Sequence, residues 1–254
     1  MPVHPSAQSG FAAAATQYER GRPDYPGEAV EWMSDHLGLG PGKTVLDLGA
    51  GTGKLTRALQ STGARVLALE PVSEMAAILR RTAPRAQVVK ATAERTGLAD
   101  GSVAAATAGQ SFHWFANPLA LSEIRRVLRT RGGLGLIWNR RDLSYLVWAE
   151  IDRLIEPLRR TEPTYRDHAW RPVLDGSGLF SPLLGANFVS WHSVSPEELV
   201  DRVVSISFVA CLPQADREQI AGEVLTLGRR CSQLPGGRLA LPYATEAWVA
   251  FAID

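Results

Sequence analysis

The segment Asp47-Leu48-Gly49-Ala50-Gly51-Thr52-Gly53 decides the fold of this chain. It ends a short apolar run, Thr44–Leu48, and precedes a helical pattern with Leu55 and Leu59 on one face. Three glycines within five residues let the backbone turn sharply, and they let a ligand approach the main chain without a Cβ in the way. The segment therefore predicts a ligand-binding turn between a strand and a helix.

The spacing of these glycines separates the ligand classes that use such turns. A phosphate-binding loop would need glycine at position 48 and serine or threonine at position 55, and both positions hold leucine. A dinucleotide-binding turn would need its third glycine at position 54, which is Lys54. A tight turn without a ligand is the structural alternative, although three glycines cost folding entropy unless something needs the space.

Short apolar runs recur along the chain on both sides of this turn, with helical patterns between them. Continuous runs are typical of strands covered on both faces, and their alternation with helices predicts a parallel sheet with right-handed crossovers. We expect Ser73 to cap the helix after the second strand and Gly132-Gly133 to stop the helix before the fifth. The predicted strands of this core, from about Val45 to Asn139, are Thr44–Leu48, Arg65–Leu69, Ala86–Val89, Val103–Ala108 and Leu134–Trp138.

The flanking segments have a different character. Residues 11–40 are helical in pattern, with a proline-rich break at Arg22-Pro23-Asp24-Tyr25-Pro26. Ser195-Pro196-Glu197-Glu198 predicts a helix that begins with a capping box, Asp216–Arg229 a further helix, and Leu239–Ala252 a closing strand. We predict N-terminal lid helices in 1–40, a cofactor-binding α/β core in 41–142, and substrate-cap helices with closing strands of the same sheet in 143–254.

Composition excludes several classes of protein. Of 254 residues, 45% are hydrophobic, which excludes global disorder. The 27 basic and 26 acidic side chains give a net charge of +1, so we expect no nucleic-acid partner. No apolar stretch approaches the roughly 18 residues of a membrane span, the N-terminus is unlike a signal peptide, and the two cysteines have no metal-ligand spacing. We expect a cytoplasmic protein without a metal or a membrane partner.

An acidic residue follows the second predicted strand. Glu70 lies 70 − 49 = 21 positions beyond Gly49. A carboxylate at this place can accept hydrogen bonds from both ribose hydroxyls of an adenosine. Because several cofactors contain adenosine, Glu70 predicts an adenosine site without naming the cofactor, and a surface glutamate at a strand end is the alternative.

Four segments together resemble one family. Gly-x-Gly-x-Gly, with Asp47 two positions before it, resembles motif I of the class I S-adenosylmethionine-dependent methyltransferases. Ala91-Thr92-Ala93-Glu94 resembles the segment that frames the adenine, with threonine where many relatives carry aspartate. Gln110-Ser111-Phe112-His113-Trp114-Phe115 and the N-terminal Tyr18-x-x-x-Arg22-Pro23-x-Tyr25-Pro26 resemble the small-molecule, trans-aconitate-methyltransferase-like subgroup. The resemblance implies an α/β fold, a Rossmann-like doubly wound, mostly parallel seven-stranded sheet with a helical lid from the N-terminus and the C-terminal part.

The resemblance also implies S-adenosyl-L-methionine as the cofactor. Tyr18 and Arg22 would meet its carboxylate and a carbonyl near Gly49 its amino group. Asp47 either orients the loop, reaches the ammonium through water, or is structural. The expected cofactor-binding residues are Tyr18, Arg22, Asp47, Gly49, Ala50, Gly51, Gly53, Glu70, Pro71, Thr92, Ala93, Glu94 and Gln110.

Methyl transfer is an in-line displacement for which the cofactor supplies the reactivity, so the protein mainly positions the acceptor. His113 is either a catalytic base or polarising group, or a packed histidine at a strand end. Tyr25, Trp114 and Arg140 are the expected substrate-binding residues, and Arg140 with Arg141 either holds a carboxylate or is a solvated pair. We predict a methyltransferase acting on a small molecule, with oxygen favoured as acceptor. The alternatives are a cofactor-binding protein without turnover, an NAD-type oxidoreductase and a nucleic-acid methyltransferase.

Overall fold

A seven-stranded mixed sheet forms the centre of the computed structural model, which describes residues 4–160 and 162–253. Its strand order is β3-β2-β1-β4-β5-β7-β6. Neighbouring strands from β3 to β5 are parallel, whereas β7 runs antiparallel to β5 and β6. The predicted fold class is therefore confirmed. The strands are β1 (Thr44–Leu48), β2 (Arg65–Leu69), β3 (Gln87–Val89), β4 (Val103–Gly109), β5 (Leu128–Arg141), β6 (Leu184–Val194) and β7 (Leu239–Phe251).

Helices cover both faces of the sheet and its carboxyl edge. They are α1 (Pro5–Ala13), α2 (Ala15–Gly21), α3 (Gly27–His36), α4 (Lys54–Gln60), α5 (Ser73–Thr82), α6 (Pro118–Val127), α7 (Leu146–Ile155), α8 (Trp170–Asp175), α9 (Pro196–Val204), α10 (Ser207–Ala210) and α11 (Gln214–Arg230). Short 3-10 turns add Phe112–Trp114, Glu156–Leu158 and Pro235–Gly237. No helix within 4–160 or 162–253 is long and apolar enough to cross a membrane.

Alternation along the strands divides the core between the two faces of the sheet. On β1, Leu46 and Leu48 pack in the cluster that contains Ile124 of α6. Val45, one position before Leu46, packs on the opposite face with Met33 of α3. The three apolar residues between positions 45 and 48 are fully buried, so β1 lies at the centre of the sheet and fixes the turn that follows it.

The turn after β1 lies where the strand order reverses. β1 pairs with β2 on one side and with β4 on the other, and all three run in the same direction. Their carboxyl ends therefore diverge into a crevice, which is the usual ligand position in open α/β sheets.

Two local predictions were wrong. Helix α6 ends at Val127, not at Gly132-Gly133, because Leu128 is already extended and pairs with Val103 of β4. A Cβ on Gly133 would lie 2.4 Å from Leu37, so this glycine serves close helix-sheet packing instead. Ser73 is the first residue of α5 and does not cap it.

The N-terminal helices lie against the C-terminal helices. α1 packs on α10, and α2 packs on α9. Glycines make this approach close: a Cβ on Gly10 would lie 2.5 Å from the carbonyl oxygen of Ser207, and one on Gly21 would lie 2.3 Å from the backbone nitrogen of Arg202. The capping box predicted at Ser195 begins α9 and is confirmed, with Ser195 Oγ accepting from Glu198 N at 3.1 Å.

Candidate functional site

A main cavity of about 800 Å³, including its opening to solvent, lies at the carboxyl ends of β1, β2 and β4. A smaller loop-side cavity adjoins it beneath the glycine turn. Most of the sequence-predicted cofactor residues meet here. The main cavity is lined by Tyr18, Gly49, Gly51, Glu70, Pro71, Thr92, Ala93, Glu94 and Gln110, and the loop-side cavity adds Arg22, Asp47 and Ala50.

The three glycines of the turn have three different physical roles. All have positive φ, +61° at Gly49, +59° at Gly51 and +95° at Gly53, a region that disfavours other residues. A Cβ on Gly49 would lie 2.9 Å from Ser111, and one on Gly53 would lie 2.6 Å from Leu79. A Cβ on Gly51 would meet no atom within 4 Å, because this residue faces the main cavity. Gly53 lines neither cavity and serves the packing of the helix start.

Glu70 is buried at the end of β2, with 4% of its surface exposed. Its Oε2 accepts from Gly51 N at 2.7 Å, and its Oε1 accepts from Val72 N at 2.8 Å. Burial raises the pKa of Glu70 to about 7, and the two backbone hydrogen bonds oppose this rise. An ionised carboxylate can accept about four hydrogen bonds, so each Glu70 oxygen can accept one more. The carboxylate therefore holds the turn in place and can still accept a hydrogen bond from a ligand in the cavity.

Asp47 is fully buried below the turn. Thr56 Oγ1 donates to its Oδ2 at 2.6 Å. Burial raises the pKa of Asp47 to about 7, although the hydrogen bonds from Thr56 and Thr107 act in the opposite direction. The contact with Thr56 ties the end of β1 to α4, so Asp47 stabilises the geometry of the turn.

The segment after β3 forms another part of the wall of the main cavity. Glu94 accepts a hydrogen bond from Asn117 Nδ2 at 3.0 Å, and Asn117 Oδ1 caps α6 through Ala120 N at 3.0 Å. Thr92 and Arg95 form an isolated β-bridge that closes the segment into a tight turn. The segment Thr92–Glu94 is therefore held rigidly against the cavity.

Two ring-bearing residues at the N-terminal end, Phe11 of α1 and His4 just before it, line the main cavity and were not predicted. Phe11 lies edge-on to Trp114, with ring centroids 5.7 Å apart, and edge-on to Tyr18 at 5.9 Å. His4 lies 5.5 Å from Trp114. Phe11 and His4 carry no recognisable motif, because their position depends on how α1 folds back over the sheet edge.

A further cavity, the arginine pocket, lies behind Trp114 and encloses about 560 Å³, including its opening. It shares Phe11, Tyr18, Gln110 and Trp114 with the main cavity. Gln110 lines all three cavities and has φ +56°, a strained conformation for a residue with a side chain. Its Nε2 donates to the carbonyl oxygen of Asn139 at 2.8 Å, which fixes it at the junction.

His113 lines the arginine pocket. Trp138 Nε1 donates to His113 Nδ1 at 3.3 Å, so the neutral ring carries its proton on Nε2. Burial, together with the positive charges of Arg159 and Arg22, lowers the pKa of His113 to about 3. The ring is therefore neutral at pH 7 and offers the pocket a hydrogen-bond donor.

The other residues predicted to bind substrate do not lie together in one cavity. Trp114 lines the main cavity and the arginine pocket, whereas Tyr25 lines the loop-side cavity. Arg140 lines none of the three, because alternation along β5 turns it to the other face, where it pairs with Glu246. Its neighbour Arg141 is the one that enters the arginine pocket.

The main cavity fits an adenosyl cofactor on three observations. Gly51 leaves open the space that a Cβ would fill, so a ligand can contact the main chain there. A buried carboxylate, Glu70, stands at the strand end where ribose hydroxyls can donate to it. Apolar surface from Met75 and Phe115 lines the cavity and suits an aromatic base.

Comparisons with known proteins agree with this architecture. Residues 46–136 match the methyltransferase domain family. An uncharacterized methyltransferase of Mycobacterium tuberculosis is 37% identical, with 92% of each chain covered. An uncharacterized methyltransferase-like protein of Schizosaccharomyces pombe is 32% identical over 94% of this chain and 93% of its own.

A solved structure extends the likeness to three dimensions. It is described as a proposed type II methyltransferase from Anaeromyxobacter dehalogenans, with 26% identity, a TM-score of 0.62, and coverage of 91% of this chain and 96% of that one. The glycine turn, the sheet order and these relatives lead to one conclusion: the chain belongs to the class I S-adenosylmethionine-dependent methyltransferases, and S-adenosylmethionine is its cofactor.

Proposed function

We propose that this methyltransferase acts on a small molecule and transfers the methyl group to oxygen. The observation that carries the proposal is the arginine pocket, which adjoins the main cavity and shares the lining residues Tyr18, Gln110 and Trp114 with it. α1 and α2 cover both cavities, so the acceptor space suits a small ligand better than a macromolecule. The helices of 1–40 and of 143–254 then act as lid and cap over the core of 41–142.

We further propose which residues hold the cofactor. Glu70 accepts from the ribose hydroxyls, and the segment Thr92–Glu94 borders the adenine. Arg22 and Tyr18 meet the carboxylate at the loop-side end, where the Arg22 guanidinium lies 4.5 Å from the Tyr18 ring centroid. Burial lowers the pKa of Arg22 to about 10, so its guanidinium is still cationic at pH 7. When bound, S-adenosylmethionine supplies a methyl group activated by a sulfonium.

The chain's own contribution is to position the acceptor and exclude water. Phe11, Tyr18 and Trp114 form an aromatic screen between solvent and the junction of the cavities. His113 cannot take a proton through Nδ1, which already accepts from Trp138, and Nε2 already carries one. His113 therefore orients the acceptor as a hydrogen-bond donor, and this favours an acceptor oxygen that arrives ionised.

Calorimetric titration with S-adenosylhomocysteine, run beside NAD, tests the cofactor site. We expect micromolar binding of S-adenosylhomocysteine alone. Transfer of a labelled methyl group from S-adenosylmethionine to a panel of small acids and phenols then tests turnover. Binding without transfer to any member would contradict the proposed activity, and methyl transfer to RNA instead would contradict the small-molecule acceptor.

A further inference from the structure

The two edges of the sheet differ in length. β3 forms one edge and has three residues, whereas β6 forms the other and has eleven. All eleven pair with β7 in an unbroken antiparallel register, without a bulge. Proteins usually protect a long edge strand with charges, proline, a bulge or a covering segment, because its free N–H and C=O groups can pair with another chain. β6 is therefore the edge at which such protection is expected.

The sequence of β6 provides neither charges nor proline. Leu184–Val194 contains no proline, aspartate, glutamate, lysine or arginine, although 21% of the whole chain is charged. Burial lowers the pKa of its one titratable side chain, His192, so that ring is neutral at pH 7. The strand therefore presents a long, regular edge without charge.

The backbone of this edge is open along most of its length. Among the described residues, 4–160 and 162–253, no backbone–backbone hydrogen bond joins 185–193 to a segment other than β7. At one end Arg238 Nη2 donates to the carbonyl oxygen of Ser193 at 2.8 Å, so that carbonyl is already occupied. The stretch from 185 to 192 thus has backbone groups with which a further strand can pair.

Large apolar side chains lie exposed beside this edge. Val189 is 74% exposed and Trp191 is 62% exposed, and alternation along the strand places both on the same face. The Tyr145 ring packs edge-on against Trp191, with ring centroids 6.1 Å apart. Leu143 and Leu146, close to Tyr145 in the chain, are also exposed. We call these five side chains the edge patch.

We propose that β6 pairs with β6 of a second copy of this chain, antiparallel and about a twofold axis, so that two seven-stranded sheets become one continuous sheet. With Ser190 at the axis, Val189 lies opposite the partner's Trp191, and Phe188 lies opposite the partner's His192. Pairs of an aromatic and a β-branched residue are favourable across antiparallel strands, and the axis repeats each pair. The proposal is independent of the acceptor, since no residue of β6 lines the main cavity, the loop-side cavity or the arginine pocket.

Charge favours a second copy as the occupant of this edge. Self-pairing brings identical side chains close to one another, so an uncharged strand avoids the like-charge repulsion that a charged one would meet. Arg57, in the cleft beside Trp191, is already paired within the chain, with Glu19 at 3.0 Å and with Asp24 at 3.2 Å. The edge is therefore self-complementary in charge as well as in backbone hydrogen bonding.

The size of the surface also suits a dimer. Eleven residues in a strand span about 37 Å. Stable dimers bury about 800 Å² per partner, which corresponds to a band about 22 Å wide along such an edge. The strand supplies the centre of this band, and the edge patch widens it on one side.

Sedimentation velocity of the whole protein over a range of micromolar concentrations tests this proposal. We expect a species with twice the mass of one chain, and its fraction should rise with concentration. A monomer at every concentration would overturn the proposal, whether or not the protein binds S-adenosylhomocysteine.

Two variants and one control locate the interface. Val189→Lys and Trp191→Lys each place an ammonium group in the apolar contact, and should each weaken dimerisation at least tenfold. Both side chains are exposed, so the circular dichroism spectrum and S-adenosylhomocysteine binding should stay unchanged. Leu119→Lys, on α6 with 57% of its surface exposed, is the matched control and should leave the dimer intact. Intact dimers in both β6 variants, or equal dissociation in all three, would overturn the proposal.

Ser190→Cys tests the register. Opposite residues of antiparallel strands have Cα atoms about 4.5–5.5 Å apart, within the range that a disulfide needs. Mild oxidation should therefore cross-link Ser190→Cys at least ten times faster than the wild-type protein, whose Cys211 and Cys231 are free. Cross-linking at the wild-type rate would overturn the pairing about Ser190.

Discussion

Gly51→Ala separates the cost of backbone strain from the loss of ligand space. Gly51 has φ +59°, and a Cβ there would meet no protein atom within 4 Å. The added methyl group would therefore clash with nothing in the protein and would project into the main cavity. An alanine at positive φ costs about 1–2 kcal/mol of folding stability. Gly101, in an exposed turn, has the same φ of +59° and the same open space, so Gly101→Ala is a matched control.

The two variants should be equally destabilised and should differ in binding. For a chain of this size, a loss of 1–2 kcal/mol lowers the unfolding temperature by about 2–8 °C, and we expect this in both. Calorimetry with S-adenosylhomocysteine should show at least a tenfold loss of affinity in Gly51→Ala, about 1.4 kcal/mol, and none in Gly101→Ala.

Two results would refute this reasoning. Wild-type affinity in a folded Gly51→Ala protein would mean that no ligand approaches the main chain at this turn. An equal loss of affinity in Gly101→Ala would mean that general destabilisation, and not occupied space, explains the effect.

Three further predictions concern the same turn. Gly53→Ala should lower the unfolding temperature more than Gly51→Ala, because its Cβ would lie 2.6 Å from Leu79; equal melting would contradict the packing role. Glu70→Gln should weaken S-adenosylhomocysteine binding by about 1–3 kcal/mol at pH 8. The affinity of the wild-type protein should rise between pH 6 and 8, because the pKa of Glu70 is about 7 and its ionised form accepts hydrogen bonds from the ribose hydroxyls. A pH-independent wild-type affinity would count against this contact. The pKa of Asp47 is raised to about 7 in the native state, whereas an unfolded aspartate has a pKa of about 4. Between these two pH values the native state keeps a proton on Asp47 that the unfolded state has lost. The unfolding free energy should therefore fall as pH rises through this window, and less so in Asp47→Asn; identical pH profiles would exclude the contribution.

The spacing of residues along the sequence was sufficient to predict the fold and the position of much of the candidate site. The apolar runs of β1 and β2 coincide with the observed strands. Gly49, Gly51 and Glu70 meet at one sheet edge because strands of a parallel sheet bring their carboxyl ends together. Such features depend on neighbours in sequence and on general rules of sheet topology, so a single sequence carries them.

Other positions depended on contacts between distant segments. Arg141, and not Arg140, lines the arginine pocket because its side chain lies on the face of β5 that carries the contact with Asp152 of α7. The sequence contains two adjacent arginines at this point, with nothing to distinguish them. Gly133 looked like a helix stop, yet its role is set by Leu37, almost a hundred positions earlier. His113 could be read as a base until Trp138 Nε1 was placed against its Nδ1.

By itself, then, the sequence determined a doubly wound α/β fold and predicted an adenosine site at the glycine turn, because periodicity and short spacing are local properties. Only the tertiary structure decided the chemistry of the neighbouring pocket. Arg141, Arg159 and Arg202 come from β5, a loop and α9, and each alone resembles an ordinary surface cation. Folding brings these arginines together and removes water from around them. A charged side chain contributes strongly to ligand binding only where it lies close to other such groups and is shielded from water.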